Sequence, residues 1–433
     1  MAWRALALAD GSGLIPSVHR LANGVRVVCT PMPGLHTLAL SVVAGHGARA
    51  ETPRQSGWAH LLEHMVFKGA GARSAMQIVA DIEAQGGQLN AATGYERTSY
   101  YLRALKGGLP LGLEIVSDLM LRPTLDPGEL TREKRVIAQE IAEAQDSPDD
   151  VVFELAQSAA FPGQALGRPI LGSVKSLAAA EPESLEGWRA AIYAPERLVI
   201  SAAGAVDEAE LLALSEQWFG AAAAAPSPAI EPGRFAGGLK PKAKALEQAN
   251  LVLLLPAPGQ TDPDYFALRL LAEALGGGMA SRLFQEARER RGLAYAIDAY
   301  AETYSDTGVL GVFAGCAAED AEELARVTAG EILKLADAIG EDELARAKAQ
   351  QKAGLFFALE SPAARADAAA AQVLLFGRSI PAAELEGAVD AVTPADIARV
   401  AQRVLEPRKL AVAVLGPRRS LAAAETFERT LFG

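Results

Sequence analysis

Two ten-residue stretches set 212 positions apart constrain the fold of this chain more than any other feature. Pro195-Glu196-Arg197-Leu198-Val199-Ile200-Ser201-Ala202-Ala203-Gly204 reads as a turn leading into an apolar strand. Pro407-Arg408-Lys409-Leu410-Ala411-Val412-Ala413-Val414-Leu415-Gly416 has the same layout. Each follows a helix-like stretch, around Trp188 to Tyr193 and around Thr393 to Leu405. An offset close to half of the 433 residues is the mark of a duplicated unit. A second echo lies at offset 210, where His60-Leu61-Leu62-Glu63-His64 aligns with Leu270-Leu271-Ala272-Glu273-Ala274. On that alignment the second half keeps the helix and lacks both histidines. Between the halves, residues 221–241 are rich in Ala, Pro and Gly, a linker composition. The expected organisation is therefore an N-terminal domain over 1–220, a linker over 221–241 and a homologous C-terminal domain over 242–433.

Each half mixes strands and helices. Val25 to Thr30 and Thr37 to Val43 are β-rich runs split by Pro31, Pro33 and Gly34, which predicts a hairpin or meander. Ser99 to Leu105 reads as a strand, Ser74 to Gln85 and Asp126 to Ala144 as helices. The expected class is α+β, used twice. Half of the residues are hydrophobic, enough for sizeable cores, and no apolar run is long enough for a membrane span. The formal charge of −12 argues against nucleic acid as a partner. It suits ordinary solubility, and secondarily the attraction of basic ligands. Cys29 and Cys316 are far apart and form no CxxC pair, so they read as two reduced thiols in a cytoplasmic protein. The N-terminus makes a poor secretory signal, although Ala5-Leu6-Ala7 resembles a processing remnant and keeps a periplasmic alternative open.

His60 and His64 stand four residues apart on an apolar-periodic stretch. In a helix they are separated by about 40° on one face, one turn apart, so both imidazoles can reach one tetrahedral zinc ion. Glu63 lies just before the second histidine, where its carboxylate can approach an attacking water without being a ligand. H-x-x-E-H reverses the order of the H-E-x-x-H zinc motif. A catalytic site needs a third protein ligand. The acidic stretch Glu129 to Glu143 offers Glu133, Glu140 and Glu143, and spacing alone does not choose among them.

The segment Gly57-Trp58-Ala59-His60-Leu61-Leu62-Glu63-His64-Met65-Val66-Phe67-Lys68-Gly69 resembles the active-site segment of the pitrilysin and mitochondrial processing peptidase family. The resemblance extends over nearly the whole chain, through residues 21–27, 86–93 and 275–284. It implies two homologous α/β-sandwich domains in tandem, forming one half of a clamshell whose other half is an identical or homologous subunit. It implies one zinc ion per site, held by His60, His64 and Glu140, with Glu133 supporting from behind. It implies that Asn90, Ala91 and Ala92 form an edge strand to which a peptide substrate adds. Arg288 and Tyr295 match a family pair that grips the substrate and steadies the oxyanion at a facing subunit's metal.

The implied activity is zinc-dependent hydrolysis of unfolded peptides or presequence-like segments inside a dimeric chamber, with Glu63 as general base. The alternative is a non-catalytic or partner-dependent peptide-binding subunit of a heterodimeric processing complex, which the intact motif opposes. A metal-storage protein would have no need of Glu63.

Overall fold

The computed structural model describes residues 15–433. The Ala5-Leu6-Ala7 signal lies outside the described residues.

The first half runs through strands β1 (Ser17–Arg20), β2 (Arg26–Pro31) and β3 (Thr37–Ala44), then helix α1 (Trp58–Val66). A small ladder of β4 (Gly69–Ala70) and β5 (Arg73–Ser74) leads to α2 (Ala75–Ala84), β6 (Gln88–Thr93) and β7 (Thr98–Leu105). Helices α3 (Leu109–Leu121), α4 (Pro127–Asp146), α5 (Pro148–Ala160), α6 (Val174–Ala178) and α7 (Pro182–Ile192) follow, and β8 (Leu198–Gly204) and α8 (Glu208–Phe219) close the half. Every residue of β8 is buried, as its unbroken apolar run requires of an interior strand. The sheet order is β1-β2-β8-β3-β7-β6. The expected hairpin of β2 with β3 does not form. The buried β8 needs a hydrogen-bonded neighbour on each side and enters between them, parallel to β2 and antiparallel to β3.

The second half repeats this path. It runs β9 (Gly238–Ala243), β10 (Gln248–Ala257), α9 (Tyr265–Gly276), a short helical segment Phe284–Arg290, β11 (Ala294–Thr303) and β12 (Gly308–Ala317). Then come α10 (Ala321–Asp337), α11 (Glu341–Glu360), α12 (Pro362–Phe376), α13 (Ala382–Asp390), α14 (Pro394–Leu405), β13 (Ala411–Gly416) and α15 (Ala423–Phe432). The sheet order read from its other edge, β9-β13-β10-β12-β11, matches β2-β8-β3-β7-β6 strand for strand. The single parallel pair also falls at the same place, β9 with β13 as β2 with β8. The echoing sequences at 195–204 and 407–416 are thus the two interior strands β8 and β13.

The compact units are not contiguous in sequence. One comprises the described residues up to 138 together with 170–230 and 355–387; the other comprises 139–169, 231–354 and 388–433. The division passes within α4 and α11. Each unit thereby includes a helix drawn from the opposite half: α12 lies in the first and α5 in the second. A division into 1–220 and 242–433 does not describe this exchange, and β9 begins inside the expected 221–241 linker. Composition marks where a chain is loose, whereas packing decides which sheet a helix covers.

In the first unit, Ala366, Ala369, Ala370 and Val373 of α12 pack on Val28, Ala39, Val43, Val199 and Ala203. The run of alanines gives α12 a smooth face that can sit close to the sheet. On β3, Ala39 and Val43 point to α12, so Leu38, Leu40 and Val42 point to the opposite face. In the second unit α5 covers one face of the sheet. On its other face Leu251, Leu253 and Leu255 of β10 join α9, α10, α14 and α15 in one core.

Candidate metal centre

Helix α1 is anchored before its polar face is reached. Its N-cap, Gly57, has φ of +90°, and a Cβ there would lie 2.6 Å from the Leu171 carbonyl oxygen, so only glycine fits. The buried carboxylate of Glu51 accepts hydrogen bonds from the backbone N–H groups of Gly57 (2.9 Å) and Ala59 (2.7 Å). A negative charge at a helix start satisfies N–H groups that have no helical partner and complements the dipole. Trp58 Nε1 donates to the Ser176 carbonyl at 3.1 Å. Trp58, Ala59, Leu61, Leu62, Met65 and Val66 are buried. The half-exposed side that remains holds His60, Glu63 and His64.

Opposite this face runs α4. Potential ligand atoms of His60, His64 and Glu140 all lie within 4.8 Å of one another. Two imidazoles and a carboxylate make a three-ligand set that leaves a fourth tetrahedral position for water or substrate, which suits zinc. Glu143, the other candidate, is exposed and outside this group. Glu133, two turns before Glu140, is buried at 4% exposure. His64 Nδ1 donates to Glu133 Oε2 at 3.0 Å, and Lys68 Nζ pairs with Glu133 Oε1 at 2.8 Å. With Nδ1 so engaged, Nε2 carries the lone pair that can face a metal. The two rings meet edge to face with centroids 4.6 Å apart. Burial, with the neighbouring His64, pushes the His60 imidazole down to about 4.

Thr93, the last residue of β6, donates from Oγ1 to Glu63 Oε2 at 2.6 Å. One carboxylate oxygen is thereby tied down and the plane of Glu63 is set. Behind it, Tyr100 and Tyr193 share a buried hydrogen bond of 2.7 Å between their hydroxyls. Burial raises the pKa of both phenols, and the nearby Glu63 charge raises them further. Glu51 and Thr93 were not among the residues expected from the sequence. A glutamate just upstream of an N-capping glycine, and a threonine at the end of the strand facing α1, are the signals that could have found them.

Asn90, Ala91 and Ala92 lie on β6, an edge strand of the sheet. Ala91 and Thr93 share the α1 face; Asn90 and Ala92 face the α12 side. Arg288 and Tyr295 belong to the second unit. Arg288 sits on the segment Phe284–Arg290, with its guanidinium 4.6 Å from the centroid of the Phe284 ring. Tyr295 is on β11 and is 78% exposed. Neither is part of the histidine–glutamate group. Both cysteines are buried free thiols that burial pushes up to about 12. No helix of the described residues is long and apolar enough to cross a membrane.

Comparison with known proteins bears on the same residues. Residues 26–174 match the family described as insulinase, peptidase family M16, and residues 179–351 match the peptidase M16 inactive domain. An uncharacterized zinc protease of Rickettsia bellii is 34% identical over 402 residues, covering 93% of this chain and 97% of its own. An uncharacterized zinc protease of Streptomyces coelicolor is also 34% identical, covering 96% and 93%. Among solved structures, a protease from Helicobacter pylori superposes with TM-score 0.86 at 22% identity, over 93% of this chain and all of that one. A chain of complex III2 from Candida albicans superposes at 0.84 and 20% identity, over 96% and 99%. At those identities the structures show a shared fold.

Proposed function

The chain belongs to the M16 peptidase family, and from that premise we propose that it is a zinc-dependent endopeptidase of extended peptides. One observation carries the reading. His60, His64 and Glu140 converge as a ligand set, and Glu63 is held on the same helix face. Zinc relatives over nearly the full length support the choice of metal.

His60, His64 and Glu140 would hold the ion, which when bound supplies Lewis-acid polarisation of the scissile carbonyl and the attacking water. Glu133 keeps His64 in the tautomer that presents Nε2. Glu63 takes the proton of the attacking water and returns it to the leaving amine. The Thr93 hydroxyl fixes the direction from which that carboxylate acts. The substrate adds to β6 as a further strand, using backbone hydrogen bonds that tolerate many side chains. Arg288 and Tyr295 complete the metal site of a partner subunit, in a homodimer or a heterodimer with a homologue. A phenol exposed at the surface is available for such a role, donating to the developing oxyanion.

The test incubates the zinc-loaded chain with an unstructured peptide and follows products by mass spectrometry, beside Glu63→Gln. The wild type is expected to cleave and the variant to lose at least about 100-fold in rate while keeping its zinc. Equal cleavage by both would refute the role of Glu63. Binding without cleavage by either, at full zinc occupancy, would make the chain a peptide-binding subunit instead.

A further inference from the structure

On the face of the first sheet opposite α1 lies a cavity of about 410 Å³. Its floor is β3 and β7, one wall is α12, and toward β6 it is lined by Ala92, Thr93 and Gly94. Arg97 pairs with Asp367 at 3.4 Å across it, both side chains about half exposed. Arg103 also lines the cavity, is exposed, and makes no ion pair with any described residue. Ser41 is 2% exposed, and its Oγ has no hydrogen-bond partner. The cavity thus holds two guanidinium groups against one carboxylate, a local positive site in a chain of net charge −12.

Strand register connects this cavity to the edge where the proposed reading places the substrate. Across β6 and β7, Asn90 stands opposite Tyr101 and Ala92 opposite Ser99. Across β7 and β3, Tyr101 stands opposite Ser41 and Arg103 opposite Ala39. A peptide paired with β6 sends alternate side chains to opposite faces. One set lies with Thr93 on the α1 face. The other lies beside Gln88, Asn90 and Ala92, on the face that holds the cavity. Two strand spacings, about 10 Å, separate the substrate backbone from β7. Arg103 stands opposite Gln88, two residues along the strand from Asn90, so a substrate residue beside Asn90 lies about 12 Å from the Arg103 backbone, a distance the two side chains can bridge from its two ends.

We propose that this cavity is a specificity pocket for a carboxylate-bearing substrate side chain, glutamate above all, on the face opposite the metal centre. The aliphatic part of the side chain would lie beside Asn90 and over the Tyr101 ring, and its carboxylate would pair with Arg103. A lysine there would meet a net positive site whose one carboxylate is already paired with Arg97. The inference rests on the proposed pairing of the substrate with β6.

The test uses the zinc-loaded Glu63→Gln protein and labelled extended peptides of an alanine–valine host sequence. Each peptide carries Glu, Gln or Lys at every second residue, and binding is read by fluorescence anisotropy. The Glu peptide is expected to bind about fivefold tighter than the Lys peptide, as an incompletely buried ion pair allows. Adding Arg103→Gln should erase that preference, and Arg103→Glu should reverse it; zinc content and the thermal transition show that each variant is folded. Equal binding of the Glu and Lys peptides, or a preference unmoved by Arg103→Glu, would overturn the pocket while host-peptide binding still supported strand addition. Failure of even the host peptide to bind would overturn strand addition itself, and the pocket with it.

Discussion

Removing the Glu133 carboxylate tests whether the metal site depends on groups behind its ligands. Glu133 is buried, accepts from His64 Nδ1 at 3.0 Å and pairs with Lys68 at 2.8 Å. In Glu133→Ala, His64 loses a charge-assisted hydrogen bond worth about 1.5–3 kcal/mol and with it the restraint on its ring and tautomer. Lys68 is about one-third exposed, so its ammonium can rehydrate at little cost. The loss should therefore fall on metal binding, at about 10–100-fold in affinity, or about 1.4–2.7 kcal/mol. Glu133→Gln separates charge from shape. Its one carbonyl oxygen can accept from His64 or from Lys68 but not from both through two oxygens, and it carries no charge. Its affinity should lie between wild type and Ala. Lys68→Met, which leaves the His64 contact in place, should change affinity less than about threefold. Competition against a chelator of known zinc affinity measures all four proteins. Wild-type affinity in Glu133→Ala, or a Gln variant as weak as Ala with Lys68→Met equally weak, would refute the argument that Glu133 acts through the His64 ring.

Three further outcomes follow from the geometry. Glu51→Ala leaves the buried N–H groups of Gly57 and Ala59 without their acceptor and should cost about 2–4 kcal/mol in urea denaturation, with zinc affinity falling as the start of α1 loosens. Gly57→Ala must hold a Cβ at φ +90° against a carbonyl oxygen and should cost at least about 2 kcal/mol by the same assay. His46 is buried, hydrogen-bonded to Ser227 Oγ at 2.7 Å, and driven down to about 4 by burial and then by Arg197. Its folded pKa lies below the ordinary value of 6.5, so its contribution is complete above pH 6.5 and is lost as pH falls toward 4. That loss amounts to about 3 kcal/mol. Denaturation of the metal-free protein across this range should show a flatter pH slope in His46→Gln.

Local pattern carried much of this architecture and long-range pairing carried the rest. Helices α2, α4, α7 and α14 follow from apolar spacing and their capping residues, and the duplication was visible because interior strands β8 and β13 keep a nearly continuous apolar run. The pairing of β2 with β8, some 170 residues away, was not visible, because nothing in β2 distinguishes a hairpin neighbour from a distant one. The exchange of α5 and α12 was hidden for a related reason. A helix that is apolar on one face says that it must be covered, not by which sheet. The histidines were legible because a helix puts residues four apart on one face. Spacing alone left Glu133, Glu140 and Glu143 open and the family resemblance pointed to Glu140; the direction of α4 is what brings it beside the histidines, and Thr93 needed the β6–α1 contact.

The duplication lets the proposed metal site be compared with its counterpart in the other half. Ser147-Pro148 and Ser361-Pro362 begin the corresponding helices α5 and α12 and stand 214 positions apart. On that offset Glu140 falls on Gly354 and Glu133 on Ala347 of α11. On the α1–α9 offset of 210, His60 falls on Leu270 and His64 on Ala274, both buried. Glu63 alone keeps its type, as Glu273, and there it meets Gln351 Nε2 at 3.4 Å, while Arg269 donates to Gln351 Oε1 at 3.1 Å. The strand order is common to both units, so it does not depend on the metal donors; buried Leu270 and Ala274 stand in the places of the histidines, and the exposed Gly354 in that of Glu140. On the proposed function, the His60, His64 and Glu140 group serves chemistry at the metal rather than the strand order that both units share.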